Sequence, residues 1–178
     1  NDDSSDYLSK NYSSSGNRRT FTLSWWIKNM GGNIQIRSGT TEAAGGNFFT
    51  LDNNSQRLRL NGADSTVDKF QLITSRKFRD SSAWYHFVAA FDTTQSTSSN
   101  RVKFYVNGIQ ETAFDVENYP AQNYDTQWSN SSLPHAIGAR PDGAHYFDGY
   151  MTEIVYIDGQ QLDPTSFGEF DSDSPNIW

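Results

Sequence analysis

Three histidines, His86, His135 and His145, in a serine-rich chain invite a search for a nucleophilic triad, since an imidazole next to a hydroxyl is a common way to activate it. There is no G-x-S-x-G elbow. His86 and His135 also fall inside expected strands, where a hydrogen-bonded structural His is the simpler reading. The chain has no cysteine, which removes thiolate nucleophiles, thiolate metal sites and disulfides together. Asp142 and Asp148 could contribute carboxylates to a hard-cation loop site, but each precedes a glycine, and turn chemistry accounts for an Asp-Gly pair by itself. Asn-x-Ser/Thr occurs at Asn11, Asn53 and Asn130, about as often as chance gives in this composition.

Carbohydrate recognition has two candidate places in the chain. It needs a flat aromatic face to stack on sugar C–H surface and planar polar side chains to hydrogen-bond hydroxyls. Trp26 occupies the polar parity of its strand beside Ser24 and Lys28, as a platform on an open sheet face would; the alternative is that a loop covers it. A second cluster lies in residues 119–133, where Tyr124 and Trp128 sit among Asn123, Asp125 and Gln127, with Arg140 and Tyr146 following shortly after. The alternative there is that the aromatics pin their own loop to the domain.

The elements that must position these residues are strands. In FTLSWWIK, Phe21, Leu23, Trp25 and Ile27 share one parity and Thr22, Ser24, Trp26 and Lys28 the other, which predicts a half-buried strand. Residues 47–52, 57–61 and 69–74 read as consecutive meander strands. Residues 83–92, AWYHFVAAFD, are apolar on both parities and predict a central strand covered on both faces. Residues 101–106 alternate again and end in Asn107-Gly108, a hairpin signal leading into 109–112. The segment between those two strands, TTQSTSSN, reads as a solvated polar loop. Asp-Gly turns at 142–143, 148–149 and 158–159 bracket strands at 134–139 and 150–157, and within the second of these Glu153 reads as a buried, hydrogen-bonded structural carboxylate. Helix is expected only as one turn near 163–167, with Asp163 as cap and Pro164 in first position. So many short strands predict an all-β domain, either a two-sheet sandwich or a closed barrel, and the many short loops favour the sandwich.

At 178 residues the chain is sized for one domain, 1–178, with 166–178 as an exit tail toward a following segment. Its start at Asn1 rather than Met suggests a piece of a longer protein. Five Trp, nine Tyr and twelve Phe supply an aromatic core. A net charge of −7 lacks the basic footprint of a nucleic-acid partner and disfavours anionic membranes, and no apolar run approaches a membrane span.

The stretches FTLSWWIK, WYHFVAAFDTTQSTSSNRVKFYVNGIQ, HAIGA and FDGYMTEIVYIDGQ resemble a laminin-G-like domain of the concanavalin A-like lectin/glucanase superfamily. The resemblance covers roughly residues 5 to 165 and implies a jelly-roll sandwich of two curved antiparallel sheets. The closing phrase IDGQQLDPTSFGEFDS, residues 157–172, is similar to one common in virion proteins of marine bacteriophages. Enzymatic members of the superfamily carry an E-x-D-x-E pattern on one strand. The nearest match here, Glu169-Phe170-Asp171-Ser172-Asp173, lies after the last expected strand and ends in Asp, so the resemblance implies a non-catalytic domain with no cofactor. Many relatives hold calcium through an Asp on the last strand, and the matching position here is Thr152, a poor ligand for a hard cation. What the resemblance implies is a lectin-like module on a virion surface, or otherwise extracellular, with glycans and other virion proteins as partners. The alternatives are an architectural virion domain and the binding module of a secreted polysaccharide-active enzyme.

Overall fold

The computed structural model describes residues 6–32, 34–39, 45–51, 55–64 and 67–178. Asn53 and Asp52, the latter the expected end of a strand, lie outside them. The alternating runs form strands with their apolar parity inward. They are β1 (Leu8–Lys10), β2 (Thr20–Gly32), β3 (Ile34–Ser38), β4 (Gly46–Leu51), β5 (Arg57–Asp64), β6 (Val67–Lys77), β7 (Tyr85–Asp92), β8 (Val102–Val106), β9 (Ile109–Glu111), β10 (Phe114–Asn118), β11 (His135–Ile137) and β12 (Phe147–Asp158). The seven-stranded sheet runs β1-β11-β3-β4-β5-β6-β10 and the five-stranded sheet β12-β2-β7-β8-β9, with antiparallel pairing throughout. This is the expected all-β sandwich, and β4 to β6 form the expected meander, which β3 extends.

The two sheets meet through rings. Trp25 of β2 lies 4.8 Å from Phe49 of β4, and Phe70 of β6 lies 6.0 Å from Phe91 of β7. Phe21 stacks on Phe91 at 4.5 Å, and all five rings are fully buried. Aromatic pairs of this kind add about 0.5–1.5 kcal/mol each beyond the area they bury.

Strand β7 is buried along nearly its whole length, on both faces as its sequence predicts. Its outer face is covered by the segment that follows β12. Thr22 Oγ1 donates to the Gln160 carbonyl and accepts from the Leu162 amide, while Gln161 Nε2 donates to the carbonyls of Ala90 and Asn100. A 3-10 turn at Pro164–Ser166 then forms, with Asp163 accepting from the Thr165 amide as its cap. The acidic residues of 169–173 are exposed, and Trp178 returns to the sheet, where its indole N–H donates to His86.

Four expectations need correction. The segment read as a solvated loop contains a short helix, α1 (Ser98–Arg101). Strands β1, β3 and β10 were not anticipated; β1 is exposed throughout and has no inward parity to betray it. Asp148-Gly149 is not a turn but lies inside β12 at a register shift, where a Cβ on Gly149 would come 2.4 Å from the Lys28 carbonyl oxygen. Glu153 is not a buried carboxylate. It is exposed, with φ +51°, at a bulge where Thr152 pairs with Trp26 and Val155 with Ser24. Three residues of β12 thus advance against two of β2, and the extra one resets the alternation. Met151, Ile154 and Tyr156 consequently all pack toward the core, which no unbroken period of two allows.

A left-handed backbone penalises any side chain with a Cβ. Glu153→Gly is therefore expected to raise stability by about 0.5–1 kcal/mol, and the β-branched Glu153→Ile to lower it by a similar amount, in urea denaturation. A glycine variant no more stable than the parent would show that the bulge does not need that conformation.

Candidate functional site

On the outer face of the five-stranded sheet, His86 is 1% exposed and makes two hydrogen bonds. The Trp178 indole N–H, which can only donate, reaches His86 Nδ1 at 2.7 Å, so Nε2 carries the proton and donates to Ser24 Oγ at 2.8 Å. Burial pushes the His86 pKa down to about 4. The ring stacks on Trp26 at 4.8 Å, while Trp178, bonded edge to edge, lies 12° from its plane with the ring centres 5.7 Å apart. Trp178 fits there because Gly108, at φ +76° in the Asn107-Gly108 turn, has no side chain; a Cβ would come 2.2 Å from the indole.

Among the described residues the cover stops beyond Trp178. Tyr150 pairs with Lys28 across β12 and β2, and Thr152 pairs with Trp26, which pairs in turn with His86. Met151 packs on the core, so Tyr150 and Thr152 share the outer face with Lys28 and Trp26. Trp84 immediately precedes β7, at the parity of His86. It is 42% exposed and Tyr150 is 62% exposed, while Trp26 is half-buried. Asp80 lies within electrostatic reach of Lys28, and its carboxyl is held below the usual carboxylate range chiefly by hydrogen bonds from the Ser82 hydroxyl and amide. The uncovered end of the sheet therefore presents Trp84, Trp26 and Tyr150 on the same face as Lys28. Trp84 and Tyr150 were absent from the sequence candidates, although Trp84 shares the parity of His86 within the doubly apolar run.

The other candidates do not join this face. Trp128 is 3% exposed and stacks on Phe49 at 5.6 Å, so it is a core residue and no surface platform. Tyr124 pins its loop: its hydroxyl donates to Asp64 at 2.9 Å and its ring meets Phe70 edge-on at 6.1 Å. Burial, followed by the Asp64 contact, raises its pKa strongly. Gln127 Nε2 donates to the same Asp64 oxygen, and Arg18 donates to Gln127 Oε1 and to the Thr126 carbonyl. The polar side chains around the loop aromatics thus bind one another. Asn123 is exposed at φ +61°, with its amide donating to the Thr93 carbonyl. Arg140 and Tyr146 lie on a separate turn beside β1, where Tyr146 meets Tyr7 at 6.2 Å.

The donor set for calcium does not fit. The Asp142 carboxylate takes the Arg140 Nε–H at 2.7 Å, and that bond holds its pKa low. Asp148 sits within β12, and Thr152 stands exposed where a ligating carboxylate would be needed. Among the described residues no three His, Asp or Glu side chains gather in a way that could hold a metal ion. The run Glu169 to Asp173 is not a strand; Asp171 accepts from the amides of Asp173 and Ser174 and so closes its own turn.

Two facing antiparallel sheets of seven and five strands define a jelly-roll sandwich of the lectin type. The chain belongs to the laminin-G-type branch of the concanavalin A-like lectin/glucanases superfamily, whose family model matches residues 2–165. No curated protein matches it by sequence. Among solved structures, the LG4-5 domains of the mouse laminin alpha1 chain share 15% identity at a TM-score of 0.59, covering 88% of this chain and 40% of that one. Domain 4 of a GH43 extracellular arabinanase from Geobacillus stearothermophilus, in complex with arabinotriose, shares 18% identity at a TM-score of 0.54 over 83% of this chain. A pentraxin from Limulus polyphemus shares 13% at a TM-score of 0.54, covering 84% of this chain and 68% of that one. The chain spans 64% of the arabinanase domain, and at these identities the likeness is one of fold.

Because His86 titrates lower in the folded chain than its ordinary 6.5, the unfolded chain binds the proton first. Stability is expected to be level above about pH 6.5 and to fall as pH drops toward about 4, with His86 contributing at most about 3 kcal/mol. His135, lowered mainly by burial, acts in the same direction. Urea midpoints across that range should show the fall, and His86→Gln should flatten part of it; an unaltered slope in that variant would remove His86 from the account.

Proposed function

We propose that this chain is a non-catalytic, lectin-like module that binds glycans on the uncovered outer face of the five-stranded sheet. The observation that carries the reading is the row of Trp84, Trp26 and Tyr150 beside Lys28, on a sheet otherwise closed by its own C-terminal segment. Exposed rings on one rigid face suit the C–H surface of a sugar, and Lys28 with Thr152 offers hydrogen bonds to hydroxyls. A non-catalytic role accords with the fate of the acidic run 169–173: hydrolysis of a glycosidic bond needs two carboxylates facing the bond across a fixed gap, and Asp171 is committed to its own turn. We further read the module as one displayed at a virion surface among other virion proteins. The resemblance of residues 157–172 to phage virion proteins supports this, and many displayed copies would convert weak single-site binding into avidity.

The test is a glycan array probed with the domain in multivalent form, with and without calcium. Binding is expected, independent of chelation. Trp84→Ala and Tyr150→Ala should each weaken it about tenfold or more, equivalent to about 1.4 kcal/mol, with the circular dichroism of the parent. Silence across a broad array from a folded domain, or binding indifferent to both substitutions, would overturn the proposal.

A further inference from the structure

Along the side of the sandwich the edge strands β1 and β12 leave a seam between the sheets. A cavity of about 310 Å³ opens there, walled by Leu23, Ile36, Ile137 and Ile154. A shallower depression of about 480 Å³ continues it, sharing Leu8, Ile137 and Ile154. An apolar cavity of about 150 Å³ is already enough to stay dry and take up benzene, and ligand sites begin near 300 Å³.

Two polar rings line this cavity, and neither is satisfied. Trp128 is 3% exposed and His135 is 8% exposed, yet Trp128 Nε1 and both ring nitrogens of His135 have no hydrogen-bond partner. The carbonyls of Leu133 and Gln127 approach the imidazole without closing a hydrogen bond. Buried indole N–H and imidazole groups almost always find partners, so three orphaned nitrogens beside one cavity call for a group to meet them. Nearby, the Ser129 hydroxyl is engaged, donating to Tyr156 at 2.6 Å, and Tyr12 packs edge-on against His135 at 4.8 Å, with Lys10 Nζ 5.0 Å from the Tyr12 ring centre.

We propose that this seam is a binding site for a small, uncharged amphipathic molecule, an aromatic ring or short chain bearing one hydroxyl. Its apolar body fills the space between Leu23, Ile36 and Ile154, and its hydroxyl accepts from Trp128 Nε1 while donating to His135. Burial lowers the His135 pKa and keeps the ring neutral, with one nitrogen able to accept. The one charged side chain lining the cavity, Lys10, is a cation and is exposed, so an ammonium head would be repelled and a carboxylate head drawn toward solvent, away from the buried nitrogens. The site is separate from the outer-face aromatic row and stands or falls apart from glycan binding.

The test uses p-cresol, with toluene as its counterpart lacking the hydroxyl, on the whole chain. In heteronuclear NMR, p-cresol should bind saturably with a dissociation constant of about 1 mM or below and shift the Trp128 indole N–H signal, assigned by its loss in Trp128→Phe. Toluene should bind about tenfold more weakly, since it leaves the indole and imidazole unmet. Ile154→Trp, at a half-buried position, should fill the cavity and abolish binding, and His135→Phe, which keeps the ring volume, should erase the preference for p-cresol. If the indole signal does not move, if toluene binds as well as p-cresol, or if bound water already occupies the three nitrogens in the free protein, the proposal fails. Glycan-array binding by Ile154→Trp at the level of the parent would show that the two sites are independent.

Discussion

His86, Val88 and Ala90 point out of the sandwich and are nonetheless closed off from water, so the five-stranded sheet needs a cover on its outer face as well as a core on its inner one. That double burial decides much of the molecule. Ser24 and Thr22, on the polar parity of β2, are buried with it, and each must find a hydrogen-bond partner. Thr22 finds the chain at Gln160 and Leu162, while Ser24 finds His86. The imidazole then needs a donor for its second nitrogen, and Trp178, the last residue, supplies one. The C-terminal segment is thus held by polar groups that its own docking has dehydrated, a mutual dependence in which losing one partner strands the other.

The same segment delimits the candidate glycan surface. It crosses the rows of Thr22, Ser24, Val88 and Ala90 and ends at His86, leaving Trp26, Lys28, Trp84 and Tyr150 beyond its reach. An indole and a phenol left exposed on either side of Lys28 on a rigid sheet have no core to serve. Loop aromatics of this chain behave otherwise: Tyr124 and Trp128 have their partners inside the protein. The distinction lies in what the surrounding polar groups do. Asp64, Gln127 and Arg18 spend their hydrogen bonds on one another around the loop, whereas Lys28 and Thr152 stand at the edge of an open face.

Alternation made β2, β5 and β8 legible, because the large apolar side chains of each recur at every second residue toward the core between the sheets. The doubly apolar 83–92 announced its own double burial, although the sequence did not say what would cover the second face. β1 could not be read, being three exposed residues at a sheet edge. For the site, parity identified Trp26 but not its neighbours. Trp84 is hidden in an apolar run, and Tyr150 joins the row only through a cross-strand register that no single strand reveals. Trp128 misled for the opposite reason: polar neighbours in sequence suggest an exposed ring, but those neighbours face away from it and toward one another.

Strand β12 ties the two proposed surfaces together through its irregularity. Before Glu153 its even residues, Tyr150 and Thr152, face outward; after it the even residues, Ile154 and Tyr156, face the core. With a regular pleat, a strand that placed Tyr150 on the outer face would also turn Ile154 and Tyr156 outward, emptying the seam and exposing two large apolar side chains. The bulge lets one strand contribute a phenol to the aromatic row and, two turns of the pleat later, an isoleucine wall to the cavity. Its cost is one exposed residue held left-handed. Moving the bulge by a single position would alter both surfaces at once, so the backbone irregularity, more than any one side chain, sets which groups this sandwich presents to a ligand.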